Sequence, residues 1–263
     1  MSFDAAWLSL REPADRAARN GRLVDVLARH LAAKRKPLIL DIGCGTGATF
    51  RSLSGKVSAD AEWLMLDNDL LLLEEAQRRT GAGDRVSFRR HDLNDLDGLP
   101  LEDAAMVTAS ALFDLCSLAY SAALADRLAA RGCGLYAALN YDGRIHWSRP
   151  HALDDDVVAA FNRHQKTDKG FGPALGPDAA MELSNLFKGH GFRVETEHSP
   201  WLMNRESAAL QRAFIAGFRQ PLEAVGGFTS KDIADWIAFR HAAIEDPDSL
   251  CSVGHIDLLA LPA

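Results

Sequence analysis

Short apolar runs alternate with amphipathic stretches over the first half of the chain. The apolar runs predict buried parallel strands at 38–42, 62–66, 86–89, 104–109 and 134–140. The amphipathic stretches between them predict helices at 46–54, 70–79 and 112–131. Strands that alternate with helices are joined by crossover connections, so the pattern predicts an α/β fold with a doubly wound, mostly parallel sheet.

The rest of the chain adds helical segments to this sheet. Residues 1–36 predict a helical cover with Pro13 in a first turn, and 143–176 predict an ordered insertion rich in glycine and proline. A helix at 178–188 and a strand at 192–197 follow, then two amphipathic helices over 204–245 with Thr229 as a cap. The run 255–261 predicts a terminal strand.

Composition narrows the class of protein. Hydrophobic residues make up 48% and charged residues 25% of the 263 residues, which is ordinary for a globular chain. The net charge of −7 has the wrong sign for a protein that binds nucleic acid through phosphates, so such a partner is not expected. No apolar run is long enough for a membrane span, and no export signal or metal-binding spacing is visible. We therefore expect a cytoplasmic protein without a metal.

The central motif is Asp41-Ile42-Gly43-Cys44-Gly45-Thr46-Gly47, which joins the first strand to a helix. Glycines permit a tight turn, and the amide groups of the loop and the helix N-terminus can then face an anionic group. The loose dinucleotide fingerprint also fits, because Gly43 and Gly45 are followed by Ala48, and Asp67 lies about 20 residues on. Spacing alone therefore leaves a dinucleotide and S-adenosylmethionine (SAM) open.

The charge of Asp41 favours SAM. A carboxylate two residues before the first glycine would repel a pyrophosphate, whereas SAM presents an ammonium and a sulfonium. Asp41 would then favour the positive end of SAM, and the carboxylate of its methionine moiety would take the amides of the loop residues Gly43, Cys44, Gly45 and Gly47.

The motif resembles motif I of the class I SAM-dependent methyltransferases, and the resemblance covers residues 37–142. It implies a seven-stranded, mostly parallel sheet with an antiparallel last strand and SAM as the cofactor. It also implies that Asp67, with Asn68, binds the ribose hydroxyls, and that Asp92, with Leu93, binds the adenine. In this family the last strand pairs with its predecessor through a short hairpin, whereas about 45 residues intervene here.

The resemblance gives a single methyltransferase domain over 1–263. Its parts are a cover at 1–36, a SAM-binding core at 37–142, a substrate lid at 143–176 and a helical insertion at 203–250. Arg16 and Arg19, on the cover, are candidates for binding the SAM carboxylate, and a position on the surface is an equally good expectation for both. Three acids at successive strand ends, Asp41, Asp67 and Asp92, favour a ligand at this edge of the sheet.

The methyl acceptor is expected beside the ends of the fourth and fifth strands. Asp114 is the candidate base, and Tyr141 is the candidate for orienting the acceptor or walling its pocket. Each residue also has a purely structural interpretation. Asp114 would then be an acid at a helix N-terminus, and Tyr141 would be an aromatic residue of the core. The aromatic and basic residues of 143–176 include Lys169 and suit recognition of an anionic or planar small molecule.

The function predicted is methyl transfer to oxygen or nitrogen of a small metabolite. The first alternative is an NAD(P)-dependent oxidoreductase, which a reversed final strand would argue against. The second is a non-catalytic SAM-binding or partner protein, and the helices of 203–250 also offer a surface for a homodimer.

Overall fold

One mixed sheet forms the centre of the computed structural model, which describes residues 4–81, 83 and 85–263. Across these residues it has eight strands: β1 (Leu38–Ile42), β2 (Glu62–Asp67), β3 (Val86–Arg90), β4 (Ala104–Ser110), β5 (Gly134–Trp147), β6 (Arg193–His198), β7 (Trp201–Met203) and β8 (Cys251–Leu261). Their order is β3-β2-β1-β4-β5-β8-β6, and β7 pairs with β8. Strands β1 to β5 are parallel and β8 is antiparallel to its neighbours. The predicted fold class is confirmed, and the short β7 accounts for the extra strand.

Helices cover both faces of the sheet and one end of it. They are α1 (Ala5–Ala18), α2 (Gly21–Ala32), α3 (Ala48–Leu53), α4 (Leu70–Thr80), α5 (Leu118–Arg131), α6 (Asp154–Gln165), α7 (Ala179–Gly189), α8 (Ala208–Ala216), α9 (Arg219–Val225) and α10 (Ser230–Ala243). Apolar side chains of α5 and α7 pack on one face, and those of α2 pack on the other. A third apolar cluster contains side chains of the helices α6, α8, α9 and α10, which pack against the extended ends of β5 and β8.

Two helix starts differ from the prediction because side-chain caps set them. Asp4 accepts a hydrogen bond from the Ala6 amide, so α1 begins early and Pro13 lies inside it. Ser117 accepts from the Tyr120 amide and starts α5, whereas the prediction began that helix at residue 112. The first three residues of the predicted helical cover lie outside the described residues.

The segment 204–245 holds three α-helices rather than the two predicted. Breaks fall at Gly217 and at Gly226, whose φ of 75° is a left-handed conformation that favours glycine. The predicted cap at Thr229 is confirmed, since its side chain accepts from the Asp232 amide in a capping box. The insertion 143–176 also contains the end of β5 and helix α6. The sequence did not predict either of them, because the glycines and prolines of this segment suggested irregular structure.

The turn between α1 and α2 is fastened to the sheet by Asp257. Its Oδ2 accepts from the Asn20 amide at 2.9 Å and from the Tyr136 hydroxyl at 3.0 Å. Its Oδ1 accepts at 2.8 Å from the amide of Leu139, a bulged residue with φ 57°. The carboxylate is fully buried. One side chain of the last strand therefore fixes both the bulge in β5 and the position of Arg19, which precedes Asn20.

Candidate active site

A cavity of about 570 Å³ lies at the carboxyl ends of β1, β2, β3 and β4. Parallel strands bring these ends to one edge of the sheet, where α/β folds bind ligands. Helix α1 and the loop residues 169–171 complete the lining. The cavity therefore brings together three sequence regions that are far apart in the chain.

The glycine loop after β1 forms one wall of this cavity. Gly43 and Gly45 line it, with φ of 63° and 53°, and Gly47 stands behind them at the start of α3 with φ 81°. A Cβ at Gly45 would lie 3.2 Å from the side chain of Leu8 on α1. Cys44 also lines the cavity, so the loop presents mostly backbone to a ligand.

Asp67 holds the glycine loop and also faces the cavity. Its Oδ2 accepts from the Gly45 amide at 2.8 Å and its Oδ1 accepts from the Asp69 amide at 3.0 Å. Burial raises the pKa of this carboxyl group, against the effect of the two amides. Since each carboxylate oxygen has two acceptor sites, Asp67 can still accept from a pair of hydroxyl groups.

Asn68, Asp92 and Leu93 lie along the same cavity. Asp92 accepts from the amide and the side chain of Asn94, at 3.0 and 3.2 Å, and the pKa of its carboxyl group is lowered mainly by these bonds. Acidic groups from the ends of β2 and β3 therefore share one space, as the sequence predicted.

Arg19 lies in the cavity wall and has two buried N–H donors without an acceptor among the described residues. It lines the cavity and is only 7% exposed. Its Nη2 donates to Ser110 at 2.7 Å and to Thr49 at 3.3 Å, whereas its buried Nε and Nη1 have no partner among the described residues. Buried donors without acceptors are costly, so this arrangement calls for an anionic group of a ligand.

Asp41 lies behind the glycine loop and is not part of the cavity lining. It is fully buried, and its Oδ1 accepts from the Thr108 hydroxyl at 2.8 Å. Burial raises the pKa of Asp41 to about 7, against the opposing effects of Thr108 and Arg19. A carboxyl group that is partly protonated near neutral pH repels a phosphate less, so its charge discriminates between cofactors less strongly than the sequence suggested.

Asp114 and Tyr141 also lie outside the cavity lining. Asp114 follows Leu112 and precedes Leu115, which both line the cavity, and its buried Oδ1 has no partner in the described part of the chain. Burial raises the pKa of Asp114 to about 6. The Tyr141 hydroxyl donates to Asn162 at 2.8 Å, and burial raises the pKa of Tyr141.

Helix α1 supplies two site residues that the sequence did not identify. Arg11 and Asp15 line the cavity and pair at 2.9 Å, and Trp201 of β7 donates to Asp15 at 2.9 Å. The Arg11 guanidinium also lies over the Trp201 ring, 5.1 Å from its centre. The i, i+4 spacing of Arg11, Asp15 and Arg19 is a signal that could have placed all three on one helix face.

The direction of the last strand separates the two cofactor hypotheses. β8 is antiparallel to β5, which favours methyl transfer over the dinucleotide alternative. A model of the methyltransferase domain family matches residues 39–131, from β1 to the end of α5. Over these residues the chain is similar to a methyltransferase domain. SAM is the cofactor of this family. The unpartnered donors of Arg19, the glycine cradle and the free acceptor sites of Asp67 fit its carboxylate and ribose.

Curated relatives match this chain over short stretches. Carboxy-S-adenosyl-L-methionine synthases of two Helicobacter pylori strains, P12 and J99, are 34% identical over 62 residues and 37% identical over 57. These stretches are 24% and 22% of this chain, and the chain spans only about a quarter of each relative, 26% and 24%.

Solved structures show the same fold at low sequence identity. A cyclopropane-fatty-acyl-phospholipid synthase-like protein from Lactobacillus casei has a TM-score of 0.57 at 16% identity, with 99% of this chain and 95% of that one covered. A putative methyltransferase from Bacillus halodurans has a TM-score of 0.51 at 13% identity, with coverage of 92% and 100%. Within the described residues, no helix of the chain is long and apolar enough to cross a membrane.

Proposed function

We propose that this protein transfers the methyl group of SAM to oxygen or nitrogen of a small metabolite. The observation that carries the proposal is the shared lining of the cavity. Helix α1 and residues 169–171 border the same space as the glycine loop, so an acceptor and the cofactor would share one partly open cavity of about 570 Å³. A space of this size suits a small molecule better than an exposed segment of a macromolecule.

The residues of the chamber divide between holding the cofactor and holding the acceptor. Arg19 binds the methionine carboxylate, Asp67 and Asn68 bind the ribose, and Asp92 and Leu93 bind the adenine. Bound SAM supplies an electrophilic methyl group on a sulfonium, whose leaving thioether is neutral. Because no leaving group needs a proton, alignment of the acceptor accounts for most of the work that the protein does.

Asp114 is the proposed base for an acceptor that must lose a proton. Its Oδ1 has no other partner in the described chain, and its pKa of about 6 leaves it ionised at neutral pH while still able to take a proton. Arg11 lines the cavity and lies close enough to lower this pKa. We propose that Tyr141, whose hydroxyl is bonded to Asn162, acts as a wall and positioning group beside Asp114.

Replacement of Asp114 tests this role through a pH profile. A base works only when ionised, so kcat/KM of the wild type is expected to rise as the pH increases through about 6 and then to level off. D114N should lower kcat by about 100-fold, as expected for loss of a general base. The affinity of D114N for S-adenosylhomocysteine, measured by calorimetry, should stay within about two-fold of the wild-type affinity.

The matched control is D25N, which changes an exposed carboxylate on α2 and should leave the profile unchanged. A D114N enzyme that keeps the activity and the pH profile of the wild type would exclude Asp114 as the base.

The proposed function is tested by transfer of label. The protein is incubated with methyl-tritiated SAM and a protein-free metabolite extract, and the products are separated by chromatography. Labelled small molecules that depend on active protein are expected. If the protein binds S-adenosylhomocysteine but labels nothing in extracts of varied origin, a non-catalytic SAM-binding role replaces the proposal.

A further inference from the structure

The loop 166–177 is an ordered part of the cavity wall. The Asp168 carboxylate accepts from the amides of Gly170 and Gly172 at 2.7 and 3.1 Å. Residue Phe171 lines the cavity, and its ring lies 4.9 Å from that of Tyr120 on α5. The loop therefore holds its residues in a fixed position beside the chamber.

Lys169 lines the cavity without a carboxylate partner. Its Nζ lies 2.9 Å from the hydroxyl of Thr167 and 3.3 Å from Nδ1 of His164, which are both neutral contacts within the same segment. Over the described residues, no carboxylate comes within 4.0 Å of it. Lys166, three residues earlier, instead pairs with Asp178 at 2.6 Å and does not line the cavity.

Partial burial makes this unpaired charge costly. Removal from water lowers the pKa of Lys169 and, together with the charge of Lys169, lowers the pKa of His164. An ammonium group in such a place is stabilised by an anion that enters the cavity.

The other three cations of the cavity are already engaged: one by a carboxylate, one by the glycine-loop side of the site where the cofactor carboxylate is proposed, and one by a backbone carbonyl. Arg11 pairs with Asp15, Arg19 donates to Ser110, and Arg90 donates to the carbonyl of Asn68 at 3.1 Å. SAM itself carries one net positive charge, from an ammonium, a sulfonium and a carboxylate. A neutral acceptor would leave the ammonium group of Lys169 without an anionic partner.

We propose that Lys169 binds an anionic group, a carboxylate or a phosphate ester, on the methyl acceptor. This assignment rests on the proposed function and adds the substrate class to it. Phe171, which adjoins Lys169 on the loop, offers an apolar surface to the body of the same molecule.

Fragment binding in the presence of saturating S-adenosylhomocysteine tests the assignment. The probes are benzoate, phenyl phosphate and neutral benzamide. Their binding to the full chain is measured by ligand-observed NMR. Benzoate or phenyl phosphate should bind at least about 10-fold more tightly than benzamide, and the stronger of the two identifies the anion. K169M should remove this preference, while K169R should retain most of it.

Lys166→Met is the matched control, since it removes a charge from the same segment outside the cavity, and it should keep the preference for the anions. Equal binding of benzoate, phenyl phosphate and benzamide to the wild type would overturn the assignment. A K169M variant that binds S-adenosylhomocysteine 10-fold more weakly would also overturn it and would assign Lys169 to the cofactor. A wild type that does not bind S-adenosylhomocysteine would instead contradict the proposed function.

Discussion

Replacing Arg19 with methionine is expected to weaken binding of S-adenosylhomocysteine by about 100-fold. The side chain offers two buried donors, Nε and Nη1, that have no partner among the described residues, and the ligand carries a carboxylate. A hydrogen bond that involves a charged group contributes about 1.5–3 kcal/mol, so the loss of two of them reaches this magnitude. Titration calorimetry measures the affinity, and methionine keeps much of the apolar volume.

Arg16→Met on the same helix is the control. The Arg16 side chain is 55% exposed and reaches only Glu12, at 3.5 Å, so its replacement should change the affinity by less than about two-fold. If R19M and R16M bind S-adenosylhomocysteine equally well, Arg19 does not hold the carboxylate, and the orientation of the cofactor in this cavity has to be reassigned.

Replacing Asp257 with alanine is expected to lower the free energy of unfolding by about 3 kcal/mol. The change leaves the amides of Leu139 and Asn20 without their acceptor, and each unsatisfied buried donor costs about 1–3 kcal/mol. Because Asn20 follows Arg19, the variant should also bind S-adenosylhomocysteine more weakly. Urea unfolding gives the stability, and calorimetry gives the affinity.

Asp97→Ala provides the comparison, since this carboxylate is 89% exposed in its pair with Arg127 and should contribute less than about 1 kcal/mol. A D257A protein as stable as D97A would show that the Asp257 contacts do not hold the turn between α1 and α2.

Local patterns predicted the core of the fold because each element there depends on its own sequence. Strands β1, β2, β4 and the first half of β5 are apolar runs, and three glycines within Gly43–Gly47 are more than an ordinary strand–helix turn needs. Asp67 and Asp92 follow from the rule that parallel strands end at one edge. These residues could therefore be placed in one cavity without a structure.

The remaining site residues depend on contacts between distant segments. Arg11 and Asp15 face the cavity because Trp201 and the turn at Asn20 fix helix α1; their spacing places them on one helix face but does not show what that face contacts. Asp41 looked like a ligand-facing acid, but its side chain is enclosed behind the loop against Thr108. Burial of this kind is set by packing, which the order of residues alone does not give.

Calorimetric titration of the wild-type protein with S-adenosylhomocysteine, with NADH in parallel, distinguishes the two cofactors. We infer that the cavity beside the glycine loop binds SAM through Arg19, Asp67 and Asp92. We therefore expect saturable binding of S-adenosylhomocysteine at one site per chain and no heat with NADH. Saturable binding of NADH, without binding of S-adenosylhomocysteine at high micromolar concentration, would contradict this inference.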